Sequence, residues 1–428
     1  MQKIKELYQH FLLSDGVSTD SRKDVTNKIF FAITGDNFDG NKFAPDAINK
    51  GAKLGVVDDT LLIKDDRYFF VPNVLAALQE LAKFHRKKSS ATVFAITGSN
   101  GKTTTKELIS IVLKDLTDII STDGNYNNHI GVPLTLLKIK PTTKIAVVEM
   151  GANHIGEIKK LCEIAQPNVG LITNIGKAHL DGFGSLVGVI TAKNELYNYL
   201  KSNNGKAIVN SDDELLADLS KNILQFTYGT KNADVVGEMI DNKPHVKIRW
   251  ESNEKIYECN SQLYGEYNFN NLMAAIATGM FFSVPAQTIN RTIANYIPQN
   301  NRSQQIQTKT NHIILDAYNA NPSSVGEAIA SFVGHEFKDS WLILGDMFEL
   351  GDYSMDEHQL IVDNLLKEGV KNVILIGKDF SNTHGHNFSK FISPDDAKMH
   401  LSKIKVRNST ILVKGSRGME LEKLLDVL

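Results

Sequence analysis

The chain has 428 residues, more than one hydrophobic core usually holds, and this length predicts two or three domains. Apolar residues make up 42% of it and charged residues 22%, a composition typical of a folded globular protein. The formal net charge of −2 gives no support for general attraction to nucleic acid or to anionic membranes. We find no apolar run of membrane-spanning length and no secretory leader pattern.

The two cysteines, Cys162 and Cys259, occur in unrelated contexts without a partner at metal-ligand spacing. We interpret both as small buried apolar residues. So few cysteines are typical of the reducing cytoplasm, where we expect this protein to function.

The first stretch, residues 1–88, mixes short apolar runs with turn residues. The runs include Ile29–Ile33 and Gly55–Val57, and the stretch ends in the helical pattern Val74–Lys87. Charged residues and serines replace the apolar pattern at Lys87–Ser90, which predicts a polar hinge. We predict a small N-terminal α/β domain here.

The second stretch, residues 89–298, begins with the apolar run Thr92–Thr97, which stops at a glycine-containing loop. Further apolar runs alternate with helical segments, at Ile145–Met150, Val169–Thr173 and Lys206–Val209. This alternation predicts βαβ units and a central domain with a parallel sheet. Residues from about 233 to 264 alternate apolar and polar side chains instead, which indicates an antiparallel insertion.

The third stretch, residues 299–428, repeats the strand–helix rhythm and predicts a C-terminal Rossmann-like α/β domain. Its predicted strands are Ile313–Asp316, Trp341–Leu344, Asn372–Ile376 and Thr410–Val413. Three α/β domains joined by hinges would enclose a cleft, where small-molecule sites are common. Because the domains are large and independent, we expect a monomer.

A phosphate-binding loop follows the first strand of the central domain. It reads Thr97-Gly98-Ser99-Asn100-Gly101-Lys102-Thr103-Thr104. Gly98 and Gly101 allow tight turns, so successive backbone N–H groups can face a polyphosphate. Lys102 adds a positive charge for the β- and γ-phosphates, and the Thr103 hydroxyl can hold Mg²⁺. A predicted helix over 104–113 directs its N-terminal dipole at the same anion.

The loop is shorter than a full Walker A sequence, whose first glycine would fall at Ile96. A plain strand–turn–helix connection is the structural alternative. The run Gly-Lys-Thr-Thr-Thr between a strand and a helix favours nucleotide binding, so we predict that residues 98–104 bind the phosphates of ATP.

The shortened loop resembles that of the Mur ligases of bacterial cell-wall synthesis and of their folylpolyglutamate synthetase relatives. The likeness continues along nearly the whole chain, at Asn125–Pro133, Glu149–Asn153, Asn174–Leu180 and Ala192–Glu195. These segments are similar to the family motifs GNxNNxxGVP, EMGAN, NIGxAHL and AKxE. One such motif would be weak support, whereas this many in one order is strong.

Three further segments resemble the family members that add D-alanyl-D-alanine. They are Asp316–Pro322, Gly345–Gly351 and Lys414–Met419. Thr19–Lys23, with Phe30–Ala32, is similar to the uridine-binding entrance of these members and of the ligase that adds the third residue.

The chain departs from the family pattern at several positions. Tyr267 replaces the usual histidine of HNxxN, and Asn41 replaces a frequent histidine. Asn27 replaces a glycine, but asparagine tolerates a positive φ better than most residues, so the turn can be retained. Asn301 replaces the glycine before Arg302. These departures concern adenine and uridine contacts rather than the reaction.

The resemblance implies ATP-dependent formation of an amide bond between UDP-N-acetylmuramoyl-tripeptide and D-alanyl-D-alanine, through an acyl phosphate. It assigns Lys102 to catalysis at the phosphates, and Thr103 and Glu149 to a Mg²⁺ ion. His179 would hold a second Mg²⁺ together with Lys193, because the matching lysine of the family is carbamylated and so carries a carboxylate. Imidazole is a poor magnesium ligand, so oxygen atoms must dominate that site.

The rest of the nucleotide would lie between the central and C-terminal domains. Asn268 and Asn271, at i and i+3 of a predicted helix, have amides suited to adenine. Arg302 would contact a phosphate or the acyl phosphate, and Asp316, at a strand end, would accept ribose hydroxyls. Domain closure would exclude water from the acyl phosphate. We expect the UDP-linked peptide or the dipeptide to contact Ser21, Arg22, Asn128, Asn319, Asn321 and Lys414–Arg417.

Two other functions are compatible with parts of the sequence. A ligase that adds a diamino acid as the third residue shares the loop and the uridine entrance. A P-loop kinase or a regulatory nucleotide switch would use the loop without ligation. The residues do not indicate whether the third residue of the acceptor peptide is meso-diaminopimelate or lysine.

Overall fold

The structure is a computed structural model that describes residues 2–35, 38–63, 65–385 and 387–428. These described residues form three β-sheets of four, nine and six strands, and helices pack around them. This confirms the predicted α/β class and its parallel-sheet units. Within the described segments, no helix is both long and apolar enough to cross a membrane.

The N-terminal sheet consists entirely of parallel strands. Its elements are α1 Gln2–Leu12, β1 Val17–Ser18, β2 Ile29–Phe31, α2 Ala44–Asn49, β3 Leu54–Val57, β4 Tyr68–Phe70 and α3 Val74–Lys88. The strands follow the order β1-β2-β3-β4. Asn27 has a φ of 55°, so the turn before β2 keeps the left-handed backbone that a glycine would adopt there.

The central sheet is the largest of the three. The strand that leads into the phosphate-binding loop lies inside this sheet and has a neighbouring strand on each side. Its strands are β5 Thr92–Thr97, β6 Ile119–Ser121, β7 Ile145–Glu149, β8 Val169–Ile172, β9 Lys206–Asn210, β10 Leu224–Gly229, β11 Val235–Asp241, β12 Lys247–Ser252 and β13 Lys255–Asn260. Its helices are α4 Lys102–Lys114, α5 Gly131–Leu136, α6 Glu157–Ala165, α7 Leu180–Phe183, α8 Leu186–Ser202, α9 Glu214–Leu219, α10 Asn268–Phe281 and α11 Ala286–Ala294. The strand order is β13-β12-β11-β10-β9-β8-β5-β7-β6.

The predicted antiparallel segment is present but is not a separate insertion. β11, β12 and β13 pair antiparallel with one another, as the alternating pattern predicts. β11 also pairs in parallel with β10, so the three strands extend one edge of the central sheet. The antiparallel pairing is therefore confirmed, whereas alternation, which reports one exposed face, could not indicate which strand these three lie beside.

The C-terminal sheet contains two strands that the sequence did not predict. Its elements are β14 Gln304–Gln307, β15 His312–Asp316, α12 Pro322–Gly334, β16 Ser340–Gly345, α13 Ser354–Lys367, β17 Val373–Ile376, α14 Lys378–Asn382, β18 Ser389–Phe391, α15 Pro394–Ile404 and β19 Thr410–Lys414. The order is β14-β15-β19-β16-β17-β18, with only β14 antiparallel to its neighbour. The unpredicted strands β14 and β18 are short and lie at the two edges, where burial is incomplete and apolar residues are few.

Strand β5 shows why the central strands have continuous apolar sequences. Val93 and Ala95 belong to the apolar cluster on the side of α5, α6 and α8, whereas Phe94 and Ile96 belong to the cluster formed with α4, α10 and α11. Both faces of the strand are therefore buried, as in parallel sheets generally. The carboxyl ends of β5, β7 and β8 then meet at one edge, where the polar loops lie.

Helix α3 joins the N-terminal part to the central sheet through a buried arginine. It packs on α5 and α6 as well as on α1. Nε of Arg86 donates to the carbonyl of Ala165 at 3.0 Å, and Nη2 donates to Gln166 O at 3.1 Å and to Asn168 Oδ1 at 2.8 Å. The predicted hinge, Lys87–Ser90, therefore begins in the last two residues of α3, and the hydrogen bonds of Arg86 attach this end of the helix to the central part.

Replacing Arg86 should destabilise this junction. Arg86→Met keeps a long apolar stem but leaves buried carbonyl oxygens without donors, and each such loss costs about 1–3 kcal/mol. We expect a lower midpoint of urea denaturation, measured by circular dichroism. Arg67→Met removes an exposed arginine that pairs with Asp65 and should leave the midpoint unchanged. Equal midpoints for the two variants would contradict the role of Arg86.

Candidate active site

A single cavity of about 880 Å³ brings together most of the predicted site residues. Its lining comes mostly from the central part and from the segment after residue 299, and Leu75 and Gln79 of α3 complete it. The predicted residues in the lining are Ser99, Asn100, Gly101, Lys102, Thr103, Thr104, Asn128, Glu149, His179, Asn268, Asn271, Arg302, Asp316, Asn319 and Asn321. Lys414 of the predicted segment Lys414–Arg417 also lines the cavity. The predicted residues outside this lining are Gly98, Lys193, Ser21, Arg22, Gly415, Ser416 and Arg417.

The phosphate-binding loop turns at two glycines that no other residue could replace without movement. Gly98 has a φ of 145° and Gly101 a φ of 76°. A Cβ at Gly98 would overlap the hydroxyl of Thr173, and one at Gly101 would overlap the amide oxygen of Asn271. Helix α4 begins at Lys102, directly after this turn, so the free N–H groups of its first turn lie at the cavity.

Lys102 is held by the loop itself. Its ammonium donates to the carbonyl oxygens of Gly98 at 2.7 Å and Ser99 at 2.9 Å. Burial lowers the pKa of Lys102 to about 8, while the negative charge of Glu149 opposes this shift and Arg302 adds to it. Lys102 therefore stays largely protonated at pH 7, and a polyphosphate would offer it stronger, charged acceptors.

Glu149 presents a buried carboxylate with one unpartnered oxygen. It ends β7 with only 1% exposure. Its Oε1 accepts hydrogen bonds from Thr103 Oγ1 at 3.2 Å and from Asn127 Nδ2 at 2.8 Å. Its Oε2 has no hydrogen-bond partner among the residues that the structure describes. An unpaired buried carboxylate oxygen beside a hydroxyl suits Mg²⁺, which prefers hard oxygen ligands.

The surroundings of Glu149 show what else a metal there would need. Nowhere in the described ranges do three or more His, Cys, Asp or Glu side chains lie close enough to hold a metal by themselves. Mg²⁺ at nucleotide sites usually takes only one or two protein oxygens and completes its shell with phosphates and water. The residues present therefore fit a nucleotide-bound ion better than a metal bound by the protein alone.

His179 contacts a residue that the sequence analysis did not select. It lies in a left-handed conformation with a φ of 51°, just before α7. Its Nδ1 forms an ion-pair contact with the carboxylate of Glu349, and Asp181 N donates to Glu349 O at 3.2 Å. The hydrogen bond from His179 lowers the pKa of Glu349. Glu349 belongs to the segment Gly345–Gly351, which the sequence identified as a family motif. Its contact with His179 could not be predicted from that motif.

Lys193 lies deeper than the cavity wall. It is 1% exposed on α8, and its Nζ is 3.5 Å from the carbonyl oxygen of Ala152 and 5.1 Å from the centre of the Phe183 ring. Burial, and to a smaller extent the like charge of Lys102, lowers the pKa of Lys193 to about 7. The amine is thus in a setting that favours its neutral form.

The two residues predicted to contact adenine, Asn268 and Asn271, are hydrogen-bonded to each other. Asn271 Nδ2 donates to Asn268 Oδ1 at 2.9 Å, and Asn268 Nδ2 donates to the carbonyl of Tyr264 at 2.7 Å. Thr105 Oγ1, on α4, donates to Asn271 Oδ1 at 3.0 Å. These bonds fix both amides beside α4 at the cavity wall, and their contact with adenine stays a prediction.

The segment after residue 299 contributes cations and aromatic rings to the cavity. The Arg302 guanidinium lies 3.8 Å from the centre of the Tyr318 ring. Asn301 has a φ of 57°, so it adopts the backbone of the glycine it replaces. The Asp316 carboxylate accepts from Lys414 Nζ at 2.6 Å, which places that predicted peptide-binding lysine beside the proposed ribose position. Lys414 and Asp316 therefore form one ion pair in the wall of the cavity.

The predicted uridine residues lie outside the cavity. The backbone oxygen of Ser21 accepts from Lys50 Nζ at 3.1 Å, and the Arg22 side chain is 88% exposed and pairs with Asp20. Their neighbour Lys23 donates to the hydroxyl of Tyr126 at 3.0 Å, which connects this segment to the loop before α5. The structure therefore brings the segment to the edge of the site, beside the loop that contains Tyr126.

Gly101→Ala should abolish the loop geometry. The new Cβ would overlap the side chain of Asn271. The alanine would also have to adopt a φ of 76°, which costs an L-residue about 1–2 kcal/mol. We expect at least a tenfold loss of affinity for an ATP analogue in calorimetric titration. Gly369→Ala is the matched control, because Gly369 has a φ of 66° with nothing within 4 Å of the added Cβ. Equal affinities in both variants would contradict this prediction.

Comparison with known proteins agrees with this geometry. The Mur ligase middle domain model matches residues 96–279, and the model of the Mur ligase glutamate ligase domain matches residues 301–417. UDP-N-acetylmuramoyl-tripeptide--D-alanyl-D-alanine ligase of Escherichia coli is 34% identical over 430 residues, covering 97% of this chain and 93% of the relative.

Solved structures give the same result over the full length. MurF from Acinetobacter baumannii superimposes with a TM-score of 0.88 at 28% identity and covers 99% of this chain and 97% of its own. MurF ligase from Thermotoga maritima, in complex with ADP, has a TM-score of 0.85 at 25% identity, with 97% of each chain covered. With its two domain matches, its full-length relatives and this shared architecture, the chain belongs to the Mur ligase family.

Proposed function

We propose that this protein is an ATP-dependent ligase that joins D-alanyl-D-alanine to UDP-N-acetylmuramoyl-tripeptide in peptidoglycan synthesis. One observation carries the proposal: the phosphate-binding loop and the unpartnered Glu149 oxygen share a cavity with Asn319 and Asn321 of the segment Asp316–Pro322. That segment resembles the members that add the dipeptide, and the E. coli relative bears this activity in its name.

The chemistry requires activation of a carboxylate, because amide formation in water is uphill. The terminal carboxylate of the peptide takes the γ-phosphoryl group of ATP, and ADP leaves. The amine of the dipeptide then attacks the acyl phosphate carbon, the C–N bond forms, phosphate leaves and the ammonium proton is lost. The protein supplies position and charge neutralisation rather than covalent groups.

The residues divide these tasks by their chemistry. Lys102 and the N–H groups at the start of α4 would hold the β- and γ-phosphates, and Arg302 would neutralise charge on the transferred group. Glu149 and Thr103 would hold Mg²⁺, which neutralises phosphate charge when bound. The C-terminal segment would cover the reacting atoms and exclude water from the acyl phosphate.

We propose further that Lys193 is carbamylated and, with His179, would hold a second Mg²⁺. In this modification the neutral amine attacks CO₂, an N–C bond forms and one proton is released. The support is the burial of Lys193 and the lowered pKa of its amine, which favour the neutral nucleophile. The product carries a carboxylate in a place where a free ammonium has a backbone carbonyl at 3.5 Å and an aromatic ring as its partners.

Removing the Lys193 side chain should abolish ligation, and a small carboxylic acid should restore part of it. Lys193→Ala deletes the carboxylate, so we expect activity to fall at least a hundredfold and to recover on adding millimolar acetate or formate, by roughly tenfold or more. Lys201→Ala, on the exposed end of the same helix, should behave like the wild type. A fully active Lys193→Ala enzyme would exclude the carbamate.

The decisive experiment measures which substrates release ADP. We expect release in a coupled assay only when UDP-N-acetylmuramoyl-tripeptide and D-alanyl-D-alanine are both present. Tripeptides ending in meso-diaminopimelate and in lysine should both be tested, since the chain does not indicate the third residue. ADP release with UDP-N-acetylmuramoyl-dipeptide and a free diamino acid would instead support the ligase for the third residue. Release without an amine would support a kinase or a nucleotide switch.

Two predictions of the sequence accompany this proposal. Its substrates, ATP and a UDP-linked precursor, support a cytoplasmic location. The monomeric state is a prediction that sedimentation of the purified protein would test.

A further inference from the structure

Helix α12 begins with an asparagine whose side-chain orientation is determined by its cap. Asn321 precedes the first helical residue, Pro322, and its Oδ1 accepts from Ser324 N at 2.9 Å. In return, the backbone N–H of Asn321 donates to Ser324 Oγ at 3.2 Å, which completes a capping box. Because the capping atom must be the oxygen, the amide nitrogen of Asn321 must point away from the helix.

This amide nitrogen contacts the phosphate-binding loop. Asn321 Nδ2 donates to Asn100 Oδ1 at 2.7 Å, between residues 221 positions apart in the chain. Asn321 is 5% exposed, so water does not readily replace this bond. It is a direct hydrogen bond from the C-terminal part of the protein to the loop that would hold the phosphates.

Asn100 is itself fixed within the central sheet. Its N–H donates to Asn174 Oδ1 at 2.9 Å, and its carbonyl accepts from Thr173 Oγ1 at 2.6 Å and from Asn174 Nδ2 at 3.2 Å. The backbone at Asn100 is therefore rigid, and its side-chain oxygen is the part presented to α12.

The next residues of α12 contact the same surface. Ser323 Oγ accepts from Lys177 N at 3.1 Å, and a Cβ at Gly176 would lie 2.9 Å from that hydroxyl. Lys177 also pairs with Glu357 of α13 at 2.5 Å. The start of α12 thus lies against two central loops, and the Asn321–Asn100 bond is the part of this contact that reaches the phosphate-binding loop.

We infer that Asn321 is a positioning residue that couples the conformation of the phosphate-binding loop to closure of the C-terminal part over the cavity. The inference deepens the proposed function and rests on it. Bound phosphates hold the loop in the conformation that presents Asn100 Oδ1, and Asn321 then stabilises the closed arrangement. Arg302 and Asp316, which lie on the same C-terminal part, reach the nucleotide together with it. This positioning role is separate from the predicted contact of Asn321 with the dipeptide, since it uses one donor and one acceptor of the amide within the protein.

The test separates the bond to Asn100 from the cap of α12. Asn321→Ser retains a good N-cap but lacks the amide donor. Asn321→Asp also retains the cap and places a carboxylate oxygen against Asn100 Oδ1. Ser324→Ala is the matched control, because it removes one capping-box bond while leaving the Asn321–Asn100 bond intact. The readouts are calorimetric affinity for a non-hydrolysable ATP analogue and the decrease in radius of gyration that it causes, measured by small-angle scattering.

We expect Asn321→Ser to weaken analogue binding by about three- to tenfold and to reduce the nucleotide-dependent compaction, with a larger effect for Asn321→Asp. In the ligase assay, KM for ATP should rise more than kcat falls. Ser324→Ala should lower only the melting temperature. In an Asn100→Ala background, Asn321→Ser should have no further effect, because the two residues act through one bond.

Additive losses in this double-mutant cycle, or wild-type affinity and compaction in Asn321→Ser, would overturn the inference. Both readouts use the nucleotide analogue alone, without peptide or dipeptide. Failure of the ligase assay would therefore refute the proposed function, whereas normal compaction of Asn321→Ser would refute the coupling.

Discussion

The burial of the Glu149 carboxylate is the constraint around which the rest of the site is arranged. A carboxylate at the end of a buried strand loses its hydration, and one of its oxygens lacks any partner within the described residues. Such a charge persists only where cations and donors compensate it. Lys102 and Thr103 begin α4 beside it, and Asn127 donates to it from the opposite loop. The unpartnered oxygen of Glu149 costs free energy in a buried site, and a nucleotide with its metal ion would supply the positive charge that compensates it.

The C-terminal part contacts the central part at several places, three of which lie at the loops around this site. Glu349 contacts His179, Asn321 contacts Asn100, and Glu357 pairs with Lys177. Each contact joins a loop at the carboxyl edge of the central sheet to the start of a C-terminal element. Arg302 lines the same cavity from the C-terminal part, so these contacts and the site residues lie at one boundary.

Much of this could be predicted because it depends on local chemistry. The apolar runs predicted the buried strands, since a strand between two helical layers must be apolar on both faces. The glycines and the lysine after β5 predicted the phosphate-binding loop. The turn before β2 is retained with Asn27 in place of a glycine, because asparagine can adopt a positive φ. The edge strands β14 and β18 were missed because edges bury too little for a recognisable pattern. The domain boundaries and the roles of the site residues stay predictions, as does the carbamate on Lys193.

The sequence alone determined the α/β class, the phosphate loop and the family, because these follow from residue types at short spacings. Tertiary structure decided how distant polar groups pair. Asn268 and Asn271 have amides suited to adenine, yet packing joins them to each other and to α4. Glu349 and Asn321 acquire their partners only when the sheets come together, since a hydrogen bond between residues far apart in the chain depends on geometry that no local pattern contains.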